Sequence, residues 1–299
     1  MTDHAAATGH RCGHIAIVGR PSVGKSTLLN HLLGQKVSIT SKKPQTTRHR
    51  ITGILTEPGR QFVFVDTPGF QTTHRSALND RLNRTVRDSL ANVDAIVWMI
   101  DAARLTDADR TVAALLPART PVVVALNKVD LLVDKPALLP RLAQIAAIRE
   151  FAAIVPISAE EGTQLDALKD EIEKLLPESP ALHGEDELTD RDERFLAAEF
   201  VREKVFRLVG EEIPYSTTVA IDRFEQEGRL RRIFASIYVD RVSQRAILLG
   251  EGGERMKMIS MQARRDLERL FDGPVYLEVW VRVKKGWADN DASLTRLGY

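Results

Sequence analysis

The sequence contains one cysteine, Cys12, so it can form neither an internal disulfide nor a CxxC metal site, and a reducing cytoplasm is the default compartment. It has no excess of charge. Against 42 Lys+Arg stand 41 Asp+Glu, a formal net charge of +1, which excludes a uniformly basic nucleic-acid coat and leaves room for a local basic patch. Long apolar runs are missing too. The longest, 95–100 and 121–126, are strand-length, far from the roughly 18 residues of a membrane span. Residues 1–14 are polar and rich in Ala and His, without the apolar core of about 7–15 residues that a signal peptide needs. Secretion and membrane insertion are disfavoured on these grounds; peripheral membrane contact is not. The seven histidines are scattered with no HxxH or HExxH spacing, which argues against a zinc site. There is no internal repeat, no low-complexity tract and no heptad pattern, so a monomer is expected.

What is present is an ordinary soluble composition, 43% hydrophobic and 28% charged. The length of 299 residues suits about two domains. From residue 15 to about 176, apolar runs at 15–18, 61–65, 95–100, 122–126 and 152–157 alternate with helical patterns. Several runs are apolar on both faces, as strands of a covered parallel sheet must be, so this part reads as a doubly wound α/β domain. Pro177 and Pro180 stop a helix. Residues 178–194 hold seven acids against two arginines and read as a solvated acidic linker. Beyond it come a helix at 195–209, a hairpin pattern at 217–224 and 232–239, a glycine cluster, a helix to about 271 and a last strand at 275–283. The expected layout is a flexible N-terminus over 1–13, a first domain over 14–177, the linker over 178–194, and a second, α+β domain over 195–299.

Gly19, Arg20, Pro21, Ser22, Val23, Gly24, Lys25 and Ser26 fit the phosphate-loop pattern, with Thr27 next. A buried strand precedes them and a helix follows, the context in which backbone N–H groups and a helix dipole can cradle phosphates. Lys25 would reach the β- and γ-phosphates, and the Ser26 hydroxyl would ligate Mg²⁺. Asp66, Thr67, Pro68 and Gly69 follow the 61–65 strand; Asp66 would hold Mg²⁺ through a water, and the Gly69 N–H would face the γ-phosphate. Asn127, Lys128, Val129 and Asp130 follow the 122–126 strand. An ionised Asp130 accepts only, so it can take the paired donors of guanine, which adenine lacks. Ser158 and Ala159, after the 152–157 strand, would offer a backbone N–H to guanine O6. Either Thr46 or Thr47, in the polar stretch 41–50, would bind Mg²⁺ when the γ-phosphate is present, and Thr47 is the preferred assignment. Lys25, Thr47 and Gly69 are thus the candidate catalytic residues, and Ser26, Thr47 and Asp66 the candidate metal ligands. Trp98 reads as core, and Arg81, Arg84 and Arg87 as a solvated helix face.

These motifs, in this order, resemble the translation-factor-like branch of P-loop GTPases. In Ras-like enzymes a glutamine after DxxG orients the attacking water. Phe70 stands there in this chain, so the resemblance is to the hydrophobic-substituted class and implies slow intrinsic hydrolysis. Some relatives hold K⁺ with a phosphate-loop asparagine. Ser22 takes that place here; its hydroxyl can still ligate an ion, but the departure weakens the case for K⁺. His74, in the expected second switch at 70–80, reads most simply as a solvated loop residue.

Gly250, Glu251, Gly252 and Gly253 form a GxxG loop, and Arg255, Lys257, Arg264 and Arg265 follow closely. Residues 229–287 hold 13 basic against seven acidic residues, a local excess of six. The order of helices and strands resembles a type II KH domain, in which such a loop clamps a nucleic-acid backbone and unstacked bases lie along an apolar groove. Glu251 runs against this pattern, since its charge repels phosphate. The stretch from Lys42 through Thr46 and Thr47 to Arg50, the segment from Pro214 to Ser216 and the tail from Lys284 to Ala288 resemble landmarks of the Era GTPases, which join these two domains. That resemblance implies GTP and GDP as ligands with Mg²⁺, binding near the 3′ end of 16S rRNA, and a role in 16S rRNA processing and 30S subunit biogenesis. It also implies loose peripheral attachment to the cytoplasmic face of the inner membrane. Asp130 disfavours an ATPase, and the single phosphate loop disfavours a tandem-domain or tRNA-modification GTPase. A nucleotide-gated RNA scaffold for which hydrolysis is dispensable stays open.

Overall fold

The computed structural model describes residues 9–41, 43–70, 77–133, 136, 138–210, 213–290 and 294–295. Lys42, His74 with the rest of 71–76, and residues 1–8 of the N-terminal stretch lie outside the described residues. The chain forms two compact units. The first takes in described residues of 1–38, 47–74 and 82–190, and the second those of 39–46, 75–81 and 191–299.

The first unit is built on a six-stranded sheet of order β2-β3-β1-β4-β5-β6. Its strands are β1 (Arg11–Val18), β2 (Ile51–Glu57), β3 (Arg60–Asp66), β4 (Ala95–Asp101), β5 (Val122–Asn127) and β6 (Ala153–Ile157). Strands β1, β3, β4, β5 and β6 pair in parallel, and β4 and β5 are buried on both faces almost throughout, as apolar runs without alternation require. Helices α1 (Lys25–Leu33), α2 (Ala77–Ala91, whose first residues, 77–81, count with the second unit), α3 (Asp107–Leu115), α4 (Leu138–Ala146) and α5 (Leu165–Glu173) connect them. Trp98 is fully buried in this core, tilted against Phe151. Arg87 of α2 lies over the Phe70 ring.

Three features differ from the expectation. The edge strand β2 was not apparent from the apolar runs; it pairs antiparallel with β3, so the sheet is mixed. Strand β1 starts at Arg11, so residues 11–13 are not part of a flexible arm: Cys12 and Gly13 are buried and pair with Gln61 and Phe62 of β3. The acidic stretch after residue 177 is not a solvated spacer up to residue 190. It is a strap stitched to the sheet edge: Ser179 N–H donates to the His10 carbonyl at 3.0 Å, Ile54 N–H to the Leu188 carbonyl at 2.9 Å, and Thr189 Oγ1 to the Thr52 carbonyl at 2.7 Å. Gln61, fully buried, receives the N–H groups of Leu182 and His183 on one side-chain oxygen and donates to the His183 carbonyl. Asp190 also takes part, accepting from Thr52 Oγ1 at 3.0 Å, while Glu178, Glu185, Asp186 and Glu187 are exposed.

The second unit comprises α6 (Glu193–Leu208), β7 (Thr217–Glu227), β8 (Leu230–Val239), α7 (Val242–Leu249), α8 (Glu254–Leu270) and β9 (Val275–Val283). Asp192 caps α6 by accepting from Phe195 N–H at 2.7 Å. The sheet order is β7-β8-β9, with an antiparallel hairpin and a parallel β8–β9 pair. Alternation along β8 sends Ile233, Ala235, Ile237 and Val239 into one core with Phe200 and Val201 of α6 and Ile259 and Leu267 of α8. The opposite face carries Phe234 between Tyr276 and Trp280. Among the described residues, no helix is long and apolar enough to cross a membrane.

Candidate functional site: a guanine-nucleotide pocket and a GxxG turn

In the first unit the predicted residues gather where strands of an open α/β sheet end, at the carboxyl edge beside the strand-order reversal at β1. Residues 19–24 lie between β1 and α1. Gly24 has φ +106, and a Cβ there would stand 2.3 Å from Asn127 Nδ2, so no other residue fits between loop and strand. Lys25 is buried and folds back, donating from Nζ to the carbonyls of Gly19 at 3.1 Å and Arg20 at 3.0 Å. Burial pulls its ammonium down to about 8; Asp66 opposes this and Arg20 adds to it. Arg20 is itself held by the buried Asp109 of α3 at 3.2 Å. Ser22 and Lys128 both have positive φ without being glycine, backbone strain of the kind that collects at ligand sites. Val23 is buried core, and Thr27 lies in the first turn of α1.

Asp66 ends β3 fully buried. Its Oδ2 accepts from Ser26 Oγ at 2.7 Å and from Ser38 Oγ at 2.9 Å, while its Oδ1 has no hydrogen-bond partner. Burial drives its carboxyl upward, against the pull of Lys25 and the two hydroxyls. Ser26 Oγ also lies 2.8 Å from Thr47 Oγ1. Thr46 instead spends its hydroxyl on the Lys43 carbonyl at 2.8 Å. An orphaned carboxylate oxygen among hydroxyls is an all-oxygen donor set of the kind Mg²⁺ takes, so these residues fit the ion. No cluster of three or more His, Cys, Asp or Glu residues suited to a metal occurs among the described residues. Thr67 ties its hydroxyl to the Ile17 carbonyl at 2.9 Å, and Pro68 leads to Gly69, which lies against the Pro21 backbone. Phe70 is 8% exposed and packs into the core.

Asn127, at the end of β5, joins the two halves of the pocket. Its Nδ2 donates to the Val23 carbonyl at 2.7 Å and its Oδ1 accepts from Ala159 N–H at 2.9 Å. Ser158 N–H pairs with the Thr163 carbonyl at 3.2 Å. Both N–H groups are therefore engaged within the protein. Lys128 Nζ donates to Asp101 Oδ2 at 2.9 Å and to the Ser22 carbonyl at 3.0 Å, laying its stem across the pocket. Val129 opens a short 3-10 turn that presents Asp130 to solvent.

Two residues here carry no motif signal. Asn30 of α1 accepts on Oδ1 from the N–H groups of Val37 and Ser38, both at 2.9 Å, and donates to the Ser38 carbonyl at 2.7 Å. It builds the turn that delivers Ser38 to Asp66.

In the second unit, Gly250 to Gly253 make a tight turn between α7 and α8. Gly252 and Gly253 have positive φ and open space where a Cβ would be, so an approaching phosphate meets no side chain. Glu251 is exposed at the turn. Lys257 is exposed, whereas the Arg255 guanidinium is tied to the Ile247 carbonyl. Ile247, Met258 and Met261 stand exposed beside the turn, and Trp287 of the tail is buried with Nε1 donating to the Ser216 carbonyl at 2.9 Å.

Comparison with known proteins agrees with both halves. A family model described as a 50S ribosome-binding GTPase matches residues 14–128, and a KH-domain model matches residues 212–288. GTPase Era of Chromobacterium violaceum is 54% identical over 298 residues, covering 100% of this chain and 99% of that protein. The chain belongs to the Era family of GTPases. Era of Neisseria meningitidis serogroup A is 55% identical over 300 residues, covering 100% of this chain and 98% of that protein. Among solved structures, Era in complex with MgGDPNP and nucleotides 1506–1542 of 16S ribosomal RNA matches with a TM-score of 0.94 at 39% identity, over 97% of this chain and 99% of that one. The fold is accordingly a P-loop GTPase domain followed by a KH domain.

Proposed function

We propose that this protein is a GTP-hydrolysing switch that binds 16S rRNA near its 3′ end and acts in 16S rRNA processing and 30S subunit biogenesis. The observation that carries the nucleotide half is the convergence of Ser26, Thr47 and Asp66 oxygens beside a buried Lys25. Support for the RNA half comes from the GxxG turn with its exposed apolar flank, and from the family member solved with MgGDPNP and a 16S fragment. The same reading places the protein in the cytoplasm as a monomer, with loose contact at the inner membrane as a family expectation.

Phosphoryl transfer needs positioning and charge neutralisation more than covalent chemistry. Lys25 leaves its two loop carbonyls for the β- and γ-phosphates. The loop N–H groups cradle the same phosphates, and Gly69 N–H faces the γ-phosphate. Mg²⁺, held by Ser26 and Thr47 with Asp66 behind a water, would neutralise the developing charge. Asp130 accepts the guanine donors, and Lys128 covers the ring. Phe70 cannot orient a water, so intrinsic turnover is slow. Ser22 in place of asparagine weakens the case for K⁺ activation, although its hydroxyl can still ligate the ion.

The test is phosphate release from GTP and from ATP with Mg²⁺ present or chelated. Slow, Mg²⁺-dependent release from GTP alone, lost in Lys25→Ala, is expected; equal release from ATP would overturn the assignment. The packing of Phe70 also favours a second reading, in which nucleotide gates RNA binding and cleavage is dispensable. A variant that binds GTP without cleaving it decides between them: if it supports subunit assembly as wild type does, the second reading holds.

A further inference from the structure

Helix α6 buries four charged residues that the nucleotide chemistry does not use. Glu199, Arg202, Glu203 and Lys204 are each at most 3% exposed, and ionic groups are costly to bury unless they are paired and further hydrogen-bonded. Arg202 pairs with Glu199 through Nε at 2.7 Å and Nη2 at 2.6 Å. Lys204 joins Glu203 at 2.9 Å and also reaches Asp266 of α8, the helix that begins at the GxxG turn.

What this network grips is the segment 39–46, which belongs to the same unit. Ile39 sits in that unit's apolar core. Thr40 N–H donates to Glu203 Oε1 at 2.9 Å, and Arg207 donates to the Thr40 carbonyl at 3.0 Å and hydroxyl at 2.8 Å. Lys43 reaches the Val209 carbonyl. At the far end Arg202 Nη2 donates to the Thr46 carbonyl at 2.5 Å. That carbonyl shares one rigid peptide plane with the N–H and Cα of Thr47. Fixing its oxygen therefore fixes where the Thr47 side chain starts, and Thr47 Oγ1 lies 2.8 Å from Ser26 Oγ.

We propose that Arg202 and Glu203 are positioning residues for Thr47: by holding the main chain of 39–46, α6 sets how readily Thr47 reaches bound triphosphate and Mg²⁺, so the second unit tunes the preference for GTP over GDP. This rests on the reading of Thr47 given above. A merely structural role would weaken both nucleotides together. A positioning role weakens the triphosphate alone, because Thr47 serves only that state.

The test is equilibrium binding of GDP and of a non-hydrolysable GTP analogue, with Mg²⁺, to the full chain. The variants are Thr47→Val, the double substitution Glu199→Leu with Arg202→Met, and Arg207→Ala. The double substitution leaves no unpaired buried charge. The half-exposed Arg207 decides alone if the double variant does not fold. Preference for the analogue is expected to fall at least about fivefold in the double variant, in the same direction but less in Arg207→Ala, with GDP affinity unchanged. A lowered preference in Thr47→Val with an unchanged or raised one in the α6 variants overturns the proposal alone. An unchanged preference in Thr47→Val overturns the reading of Thr47 and the proposal with it.

Discussion

Asp66 and Asp130 are two carboxylates put to opposite uses by their surroundings. Asp66 is buried, with one oxygen filled by Ser26 and Ser38 and the other left open. Asp130 is exposed on a turn held beside the phosphate loop by Asn127 and Lys128. Both were legible in the sequence because phosphate and guanine chemistry demand these residue types at fixed offsets from strand ends. The Asn30–Ser38 relay was not: it joins residues 8 and 28 apart through loop backbone that no periodicity marks. Replacing Asp130 by Asn changes an acceptor pair into a donor and an acceptor. Asp130→Asn should therefore lose guanine affinity by a factor of about 10² or more and gain affinity for xanthine nucleotides. Competition binding with GDP and xanthosine diphosphate checks this, and an unchanged guanine preference contradicts it.

Among the elements, the parallel strands and the helices of the second unit were readable from apolar runs and helical spacing. The edge strand β2 was missed because Gly53 interrupts it and two of its seven residues are threonine, so it reads as a polar connection. The strap after residue 177 is not legible because its composition is acidic, while its attachment is made by backbone groups, by Thr189 and Asp190 on Thr52, and by Gln61, 121 and 122 residues away from the N–H groups it accepts. Gln61→Leu leaves those strap N–H groups without their acceptor and should destabilise the first unit by about 1–3 kcal/mol. Chemical denaturation checks the magnitude, and faster limited proteolysis within 178–190 checks the location. The GxxG turn carries its own anomaly in the exposed Glu251. Glu251→Lys should tighten RNA binding and steepen its salt dependence by about one to two counterions, measured by titration at several salt concentrations. GTP affinity should not change.

For the whole molecule, the near-zero net charge conceals a division of labour. The nucleotide unit carries its chemistry at the carboxyl edge of one sheet, and the second unit carries the local excess of six basic charges with the GxxG turn. The two kinds of unit are legible in the sequence, since each has its own motif. Their linkage is not, because the segment 39–46 packs with the second unit although it precedes it by about 150 residues. A switch requires that nucleotide state govern RNA binding, and one measurement tests this: the affinity of the full chain for a short RNA copying the 3′ end of 16S rRNA, with GDP and with a non-hydrolysable GTP analogue, at two salt concentrations. Binding with the analogue is expected to be tighter and salt-sensitive, by at least about fivefold. Equal affinity in the two states would contradict it.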